Sequence, residues 1–195
     1  NAWNNTFDLR GLTTDGGGNY GVTGIQFNTG QTELINNLVI LENAASNPGP
    51  AGTGTYAALR FQTSGTPGVP PANLRPTSSN NIYFAPNIPN SFLYMEGVAT
   101  TALSDTFSLR NDASFNLNCG LFKTFMAGRE QNTVTANIPV TVSATGIVTP
   151  TATPNLADNN ALPIPGVNAD NTGAVRGTFP DIGAVEFTSS APIDQ

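Results

Sequence analysis

The sequence predicts an all-β chain, and three observations lead to this fold class. Apolar residues occur in short clusters, and several clusters alternate with polar residues, as Leu59 and Phe61 do around Arg60. Segments rich in Pro, Gly and Asn separate these clusters. Charged residues make up only 10% of the 195 residues, so the strong helix formers Glu, Lys and Arg are scarce. We therefore expect strands throughout, with helix confined to a turn or two.

Ten segments are predicted as strands from their apolar clusters, and alternation is clearest in the second and fourth of them. In chain order the predicted strands are 6–9, 22–27, 34–41, 56–61, 82–84, 92–95, 107–109, 121–126, 134–148 with breaks, and 182–187. Turn-rich segments at 47–50, 64–71 and 86–90 interrupt the pattern and predict long irregular loops.

A double asparagine precedes three of the predicted strands. The pairs are Asn4-Asn5, Asn36-Asn37 and Asn80-Asn81, at offsets of 32 and 44 residues. In a parallel β-helix, a solenoid of stacked coils, inward Asn side chains at a corner form a hydrogen-bonded ladder, and extra residues are absorbed as loops. The alternative is that Asn-Asn is ordinary turn chemistry in a chain that contains 24 Asn. The repeat alone leaves both interpretations open.

The segment 180–187 (Pro-Asp-Ile-Gly-Ala-Val-Glu-Phe), preceded by 173–176 (Gly-Ala-Val-Arg), resembles a known closing motif. It is similar to the end of many secreted right-handed parallel β-helix proteins, the pectin-lyase-like repeat proteins of Bacteroidota cell surfaces. Residues 80–84 and 118–126 resemble coils of the same group. The resemblance implies the C-terminal part of an extracellular or cell-surface protein, often delivered by type IX secretion. It implies nothing about activity, because this fold carries lyases, hydrolases and inert adhesins alike.

The closing segment also has a physical interpretation. We expect its apolar residues to seal the open end of a coil stack: Ile182, Val185 and Phe187. Arg176 is expected to pair with Asp181 or Glu186 and fix this cap. Residues 1–188 are then coils that include the cap at 173–187, and 189–195 are a tail toward a following segment.

Composition excludes several function classes. Seven basic residues under a net charge of −6 cannot neutralise a nucleic-acid backbone, and no run of residues predicts a transmembrane segment. With no His and the single Cys119, zinc sites, thiol–imidazole sites and internal disulfides are not expected.

The remaining candidate chemistry is weak, and we assign no catalytic, cofactor-binding or metal-binding residue and no cofactor. The Gly-rich segment 16–21 fits the dinucleotide pattern, but a strand rather than a helix follows it. The oxygen-rich stretch of Asp112, Asn116 and Asn118 matches no calcium loop. Thr-x-Thr pairs at 53/55, 133/135 and 151/153 are too irregular for an ice-binding array. Arg129-Glu130 is interpreted as a solvated pair on a turn.

Tyrosines and acidic residues are the candidates for carbohydrate binding or cleavage. Tyr20, Tyr83 and Tyr94 are aromatics that stack on sugar rings where exposed, although Tyr83 and Tyr94 sit in apolar clusters and are expected in the core. The 13 acidic residues are scattered, and a glycosidase needs two carboxylates facing one groove.

The leading functional hypothesis is a non-catalytic structural or adhesive module (an adhesin) of an exported bacterial surface protein, as a fragment of a longer chain. Its expected partners are preceding coils of that chain, or another copy end to end, and surface glycans. The alternative is a carbohydrate-active β-helix enzyme, a polysaccharide lyase or glycoside hydrolase with catalytic residues partly outside this chain. A third hypothesis is a β-sandwich module of an adhesin.

Overall fold

The structure is a computed structural model that describes residues 1–10, 22–28, 30–41, 56–62, 68–86, 91–97, 108–109, 120–151 and 155–187. Its regular structure in these ranges is almost entirely β, as predicted. The elements are β1 (Ala2–Trp3), β2 (Thr6–Asp8), β3 (Val22–Phe27), β4 (Leu34–Ile35), β5 (Leu38–Ile40), β6 (Tyr56–Phe61), β7 (Ile82–Phe84), β8 (Ser91–Glu96), β9 (Ser108–Leu109), α1 (Gly120–Met126), β10 (Val140–Val142) and β11 (Val148–Pro150).

Three sheets contain parallel strands from successive passes of the chain. β1 pairs with β4, β2 with β5 and then β7, and β3 with β6 and then β8. An isolated parallel bridge from Ile35 to Ser79 continues the first of these sheets into the third pass. The chain visits the three sheets in the same order on each pass. β9 adds an antiparallel strand beside β8, and β10 and β11 form a separate antiparallel pair.

The sheet β2–β5–β7 separates two apolar clusters because successive strand residues point to opposite faces. Val39 and Tyr83 belong to the interior cluster, which the residues of β3, β6 and β8 also line. Leu38, Ile40 and Ile82 belong to a second cluster on the other face of the sheet. All five side chains are fully buried, so both faces of the sheet are covered around β5 and the start of β7.

The second face is covered by the C-terminal part of the chain. Five buried residues supply the cover: Ile138, Val140, Ala157, Ala161 and Ile182. Within the segment 173–187, the Gly183 amide donates to the Asn36 carbonyl at 2.9 Å and the Ala184 amide to Thr6 Oγ1 at 2.9 Å. A Cβ on Gly183, whose φ is +113°, would lie 2.6 Å from Thr6 Oγ1, so glycine permits the close approach. The described contacts of this predicted cap are therefore with the face of a sheet. There the cap covers apolar residues that belong to two passes of the chain.

Two predicted strands are wrong. Residues 121–126 lie in α1, because Phe122 and Met126 are four positions apart and both bury on the interior cluster, while Leu121 is exposed. The Phe122 ring centroid lies 6.1 Å from that of Tyr83 and 6.2 Å from that of Tyr94. Residues 182–187 form bends and no strand.

The other strand predictions agree more closely with the structure. The segments 22–27, 56–61 and 82–84 match their strands, and the predicted run 34–41 is divided into β4 and β5 by Asn36-Asn37. Of the predicted 134–148 segment, only the bridge at Val134, β10 and the start of β11 are paired.

Candidate functional site

The second Asn of each double asparagine forms an inner ladder that crosses the passes. Asn5 Nδ2 donates to Asn37 Oδ1 at 2.9 Å, and Asn37 Nδ2 donates to Asn81 Oδ1 at 2.9 Å. The same oxygens accept the backbone amides of Asn5 at 3.2 Å and Asn37 at 2.8 Å. Asn37 and Asn81 are fully buried. Of the two interpretations left open by the sequence, the ladder is therefore confirmed for these residues.

The first Asn of each pair has a different role. Asn4, Asn36 and Asn80 adopt left-handed backbone conformations with φ of 53°, 59° and 56°, which Asn tolerates better than most residues. Their side chains, the outer row, make two separate contacts between passes: Asn36 Nδ2 donates to Asn4 Oδ1 at 2.9 Å and Asn132 Nδ2 to Asn80 Oδ1 at 3.3 Å. Both interpretations of the repeat are therefore correct, one for each residue of the pair.

Glu130 ends the inner ladder. Its carboxylate is fully buried and accepts hydrogen bonds from Asn81 Nδ2 at 2.8 Å, from Tyr83 Oη at 3.3 Å and from the Thr133 hydroxyl. Burial raises the pKa of Glu130 to about 7, against an ordinary value of 4.5, although these three donors lower it.

The interpretation of Arg129-Glu130 as a solvated pair is therefore wrong. At the next ladder position the Thr133 hydroxyl accepts the Asn81 backbone amide at 3.2 Å, as the Asn oxygens do on the earlier passes, and the inward Glu130 carboxylate accepts the Asn81 side-chain amide. The signal in the sequence is Asn132-Thr133-Val134, which repeats the pattern of Asn80-Asn81-Ile82 with Thr in place of the ladder Asn.

The closing segment holds a cluster of carboxylates. Arg176 Nη1 donates to Glu186 Oε1 at 2.6 Å, which confirms one of the two predicted pairings, and it donates to the backbone carbonyl of Asp181 at 3.0 Å. The Asp181 carboxylate accepts the backbone amides of Asn159 at 2.8 Å and Phe187 at 2.6 Å.

These carboxylates serve the segment itself. Asp170 accepts the backbone amides of Thr172, Ala174 and Glu186 at 2.7 to 2.9 Å. Burial raises the pKa of Asp181 to about 6, although backbone donors oppose that rise. Because these oxygens bind backbone amides between Asn159 and Phe187, the cluster fixes the conformation that packs Ile182 on the sheet.

A groove on another side of the molecule combines an indole with a buried carboxylate. This Trp3 groove has a volume of about 610 Å³ and is lined by Trp3, Glu33, Ile35, Thr77 and the residues 162–165 (Leu-Pro-Ile-Pro). Glu33 is 8% exposed, and its oxygens accept hydrogen bonds from Trp3 Nε1 at 3.1 Å and from the Thr77 hydroxyl. Sequence reasoning missed this groove because its walls are more than 80 residues apart along the chain.

The remaining candidate residues from the sequence are either buried or outside the described residues. Tyr83 and Tyr94 are buried in the interior cluster, as expected of the core. Thr133 and Thr135 are buried as well, so this pair is no part of an exposed array. Several candidates lie outside the described residues: the Gly-rich segment 16–21, Tyr20, Asp112, Asn116, Asn118 and Cys119.

Comparisons with protein-family models, with curated proteins and with solved structures found no match to this chain. Among the described residues, no group of three or more His, Cys, Asp or Glu side chains is arranged to hold a metal ion. In that same part of the chain, no helix has the length and apolar character needed to cross a membrane.

Proposed function

We propose that this chain is a right-handed parallel β-helix, part of a longer exported bacterial surface protein, with a passive structural or adhesive role. The observation that carries the proposal is the inner ladder. One Asn from each of three passes lies on a single hydrogen-bonded row, at chain offsets of 32 and 44 residues. Stacked coils of unequal length would produce such a row, and coils of this kind make a stiff rod with loops on its surface.

The strand edges of the first pass support the expected partners. Within the described residues, β1, β2 and β3 each pair on one side only, with β4, β5 and β6 respectively. Three neighbouring strands thus present unpaired backbone groups in the same direction, and such edges bind further strands. The proposed occupants are preceding coils of the same longer chain or another copy end to end.

The buried carboxylates favour the passive role over the enzyme. A glycosidase uses two carboxylates, one of them as a general acid with access to the substrate. Glu130 is buried at the end of the ladder, the closing-segment carboxylates bind backbone amides, and the lining of the Trp3 groove contains one carboxylate, Glu33.

The test combines activity and location. The purified chain, with Glu33→Gln as a matched variant, is incubated with neutral and acidic polysaccharides, and reducing ends and unsaturated products are measured. We expect no product. Release that disappears in the Glu33→Gln variant would overturn the passive role in favour of the enzyme.

Location is tested on intact cells of the source organism with an antibody to this chain. A protease added outside the cells should remove the signal if the chain is displayed on the surface. Full protection of the signal until the cells are lysed would contradict the proposed export.

A further inference from the structure

We propose that the Trp3 groove binds an organic cation, a quaternary ammonium or guanidinium group that contacts the indole and pairs with Glu33. Aromatic rings attract cations through their π faces, and Trp does so most strongly. The groove places such a ring, an anionic carboxylate and an apolar wall around one space of about 610 Å³. This inference does not depend on the proposed passive role.

The buried carboxyl group of Glu33 favours a cationic ligand. The side chain is more than nine-tenths buried, and both of its hydrogen-bond donors, the Trp3 indole and the Thr77 hydroxyl, are neutral. The two ion pairs among the described residues, Arg10–Asp8 and Arg176–Glu186, do not involve it. Among the described residues Glu33 therefore has no cationic partner within ion-pair distance, and a buried carboxylate is stabilised by a countercharge. A cationic ligand supplies that countercharge, and the chain's net charge of −6 attracts it.

The groove is also held in shape before a ligand arrives. Asn36, a member of the outer row, binds the wall through both of its amide atoms. Its Nδ2 donates to the Leu162 carbonyl at 2.8 Å, and its Oδ1 accepts the Leu162 amide at 2.9 Å. On the opposite wall, the bond from Trp3 Nε1 to Glu33 orients the indole. Pro163 and Pro165 further restrict the backbone of the wall. A preformed groove reduces the entropy lost on binding.

The lining favours a cation over a sugar. A pyranose presents several hydroxyls, and a site for it needs several polar partners. Here the polar side chains are one carboxylate and one hydroxyl, and the other six lining residues are apolar. The methyl groups of a quaternary ammonium suit such a wall, and its charge suits Glu33.

Choline is the probe, and 3,3-dimethyl-1-butanol is its neutral isostere. Trp3 is the only tryptophan of the chain, so intrinsic fluorescence and the indole N–H resonance report directly on the groove. We expect choline to give a saturable change in the millimolar range, and the neutral isostere to bind about tenfold more weakly or worse. Added salt should weaken choline binding and leave the isostere unaffected.

The variant Glu33→Gln should weaken choline binding by about tenfold and leave binding of the isostere unchanged. Asp8→Asn is the matched control, because it changes net charge equally at a carboxylate paired with Arg10 and outside the groove lining. It should leave choline binding as in the unmodified chain. The comparison of choline with its isostere needs no variant, so the test stands even where Glu33→Gln fails to fold.

Three results would overturn the proposal. The first is no response of Trp3 to choline, and the second is equal binding of choline and the isostere, which would identify a purely apolar groove. The third is preferential binding of a methyl glycoside, which would identify a sugar site. Polysaccharide cleavage that survives Glu33→Gln would contradict the passive role and leave the cation site untouched, whereas cleavage lost in that variant would contradict both proposals.

Discussion

Replacing Asn81 by alanine should break the inner ladder at the position that joins it to Glu130. The Asn81 side chain makes four hydrogen bonds in the buried interior. Its Oδ1 accepts the backbone amide of Asn37 at 2.8 Å and the side-chain amide of Asn37 at 2.9 Å. Its Nδ2 donates to the Leu34 carbonyl at 3.0 Å and to Glu130 Oε2 at 2.8 Å.

The cost of the change depends on which partners keep another bond. The Leu34 carbonyl still accepts the Ser79 amide at 3.0 Å, and Asn37 Nδ2 still donates to the Ala2 carbonyl at 2.9 Å. The backbone amide of Asn37 loses the acceptor described for it, and Glu130 loses one of three donors. Each buried group left unsatisfied costs about 1–3 kcal/mol. With the small cavity added, we expect the free energy of unfolding to fall by about 4 kcal/mol.

Urea denaturation followed by Trp3 fluorescence and circular dichroism measures this loss. Two variants calibrate it. Asn5→Ala removes a partly buried end of the ladder and should cost about 1 kcal/mol, and Asn132→Ala removes an exposed amide and should cost less than about 0.5 kcal/mol. The reasoning is refuted if Asn81→Ala is no more destabilising than Asn132→Ala.

Two other substitutions test the ladder end and the C-terminal cover. Because the pKa of Glu130 is about 7 in the folded chain against an ordinary 4.5, the folded state binds more protons between these values. Stability should therefore fall as pH rises from about 4.5 to 7, by about 3 kcal/mol from this group. Glu130→Gln should remove this pH dependence of the free energy of unfolding. The prediction is contradicted if urea denaturation at several pH values gives the same pH dependence for the unmodified chain and the variant. Ile182→Asp places a charge against Leu38 and Ile82 and should destabilise the chain by about 3 kcal/mol or more. The control is Phe179→Asp at a side chain that is 70% exposed, and equal melting of the two variants would rule out the cover.

The strands were predictable where the local sequence pattern is compatible with only one secondary structure. Residues 22–27 and 56–61 carry apolar and β-forming side chains bounded by turn-rich sequence, and both are strands with those bounds. The Asn-Asn repeat offered the ladder as one of two interpretations, because a ladder places the same residue on each pass. It could not show that the two Asn of a pair have separate roles, since that depends on the backbone conformation at the corner.

The two wrong strand predictions arise where contacts between residues distant in sequence determine the local structure. Residues 182–187 are as apolar as a strand, but their amides bind side chains from elsewhere. Ala184 donates to Thr6 Oγ1, Glu186 donates to Asp170 Oδ2, and these bonds replace a strand ladder. The sequence of 121–126 suits a strand or a helix equally. The position of the Tyr83 and Tyr94 rings favours a helix, whose four-residue spacing places Phe122 and Met126 on one face.

Hydrogen-bond chemistry explains both the length of the inner ladder and its end. An amide side chain both donates and accepts, so each Asn can repeat the same hydrogen bond to the next pass with no charge to be compensated. An ionised carboxylate only accepts. Glu130 can therefore receive the last Asn81 bond, but in its charged form it cannot extend the row. A ladder of neutral amides suits a chain that has few charges and a single Cys, because the row fixes the register between passes without ion pairs or disulfides. Asn36, which belongs to the outer row, also binds Leu162, so the same residue contacts the neighbouring pass and positions the wall of the Trp3 groove.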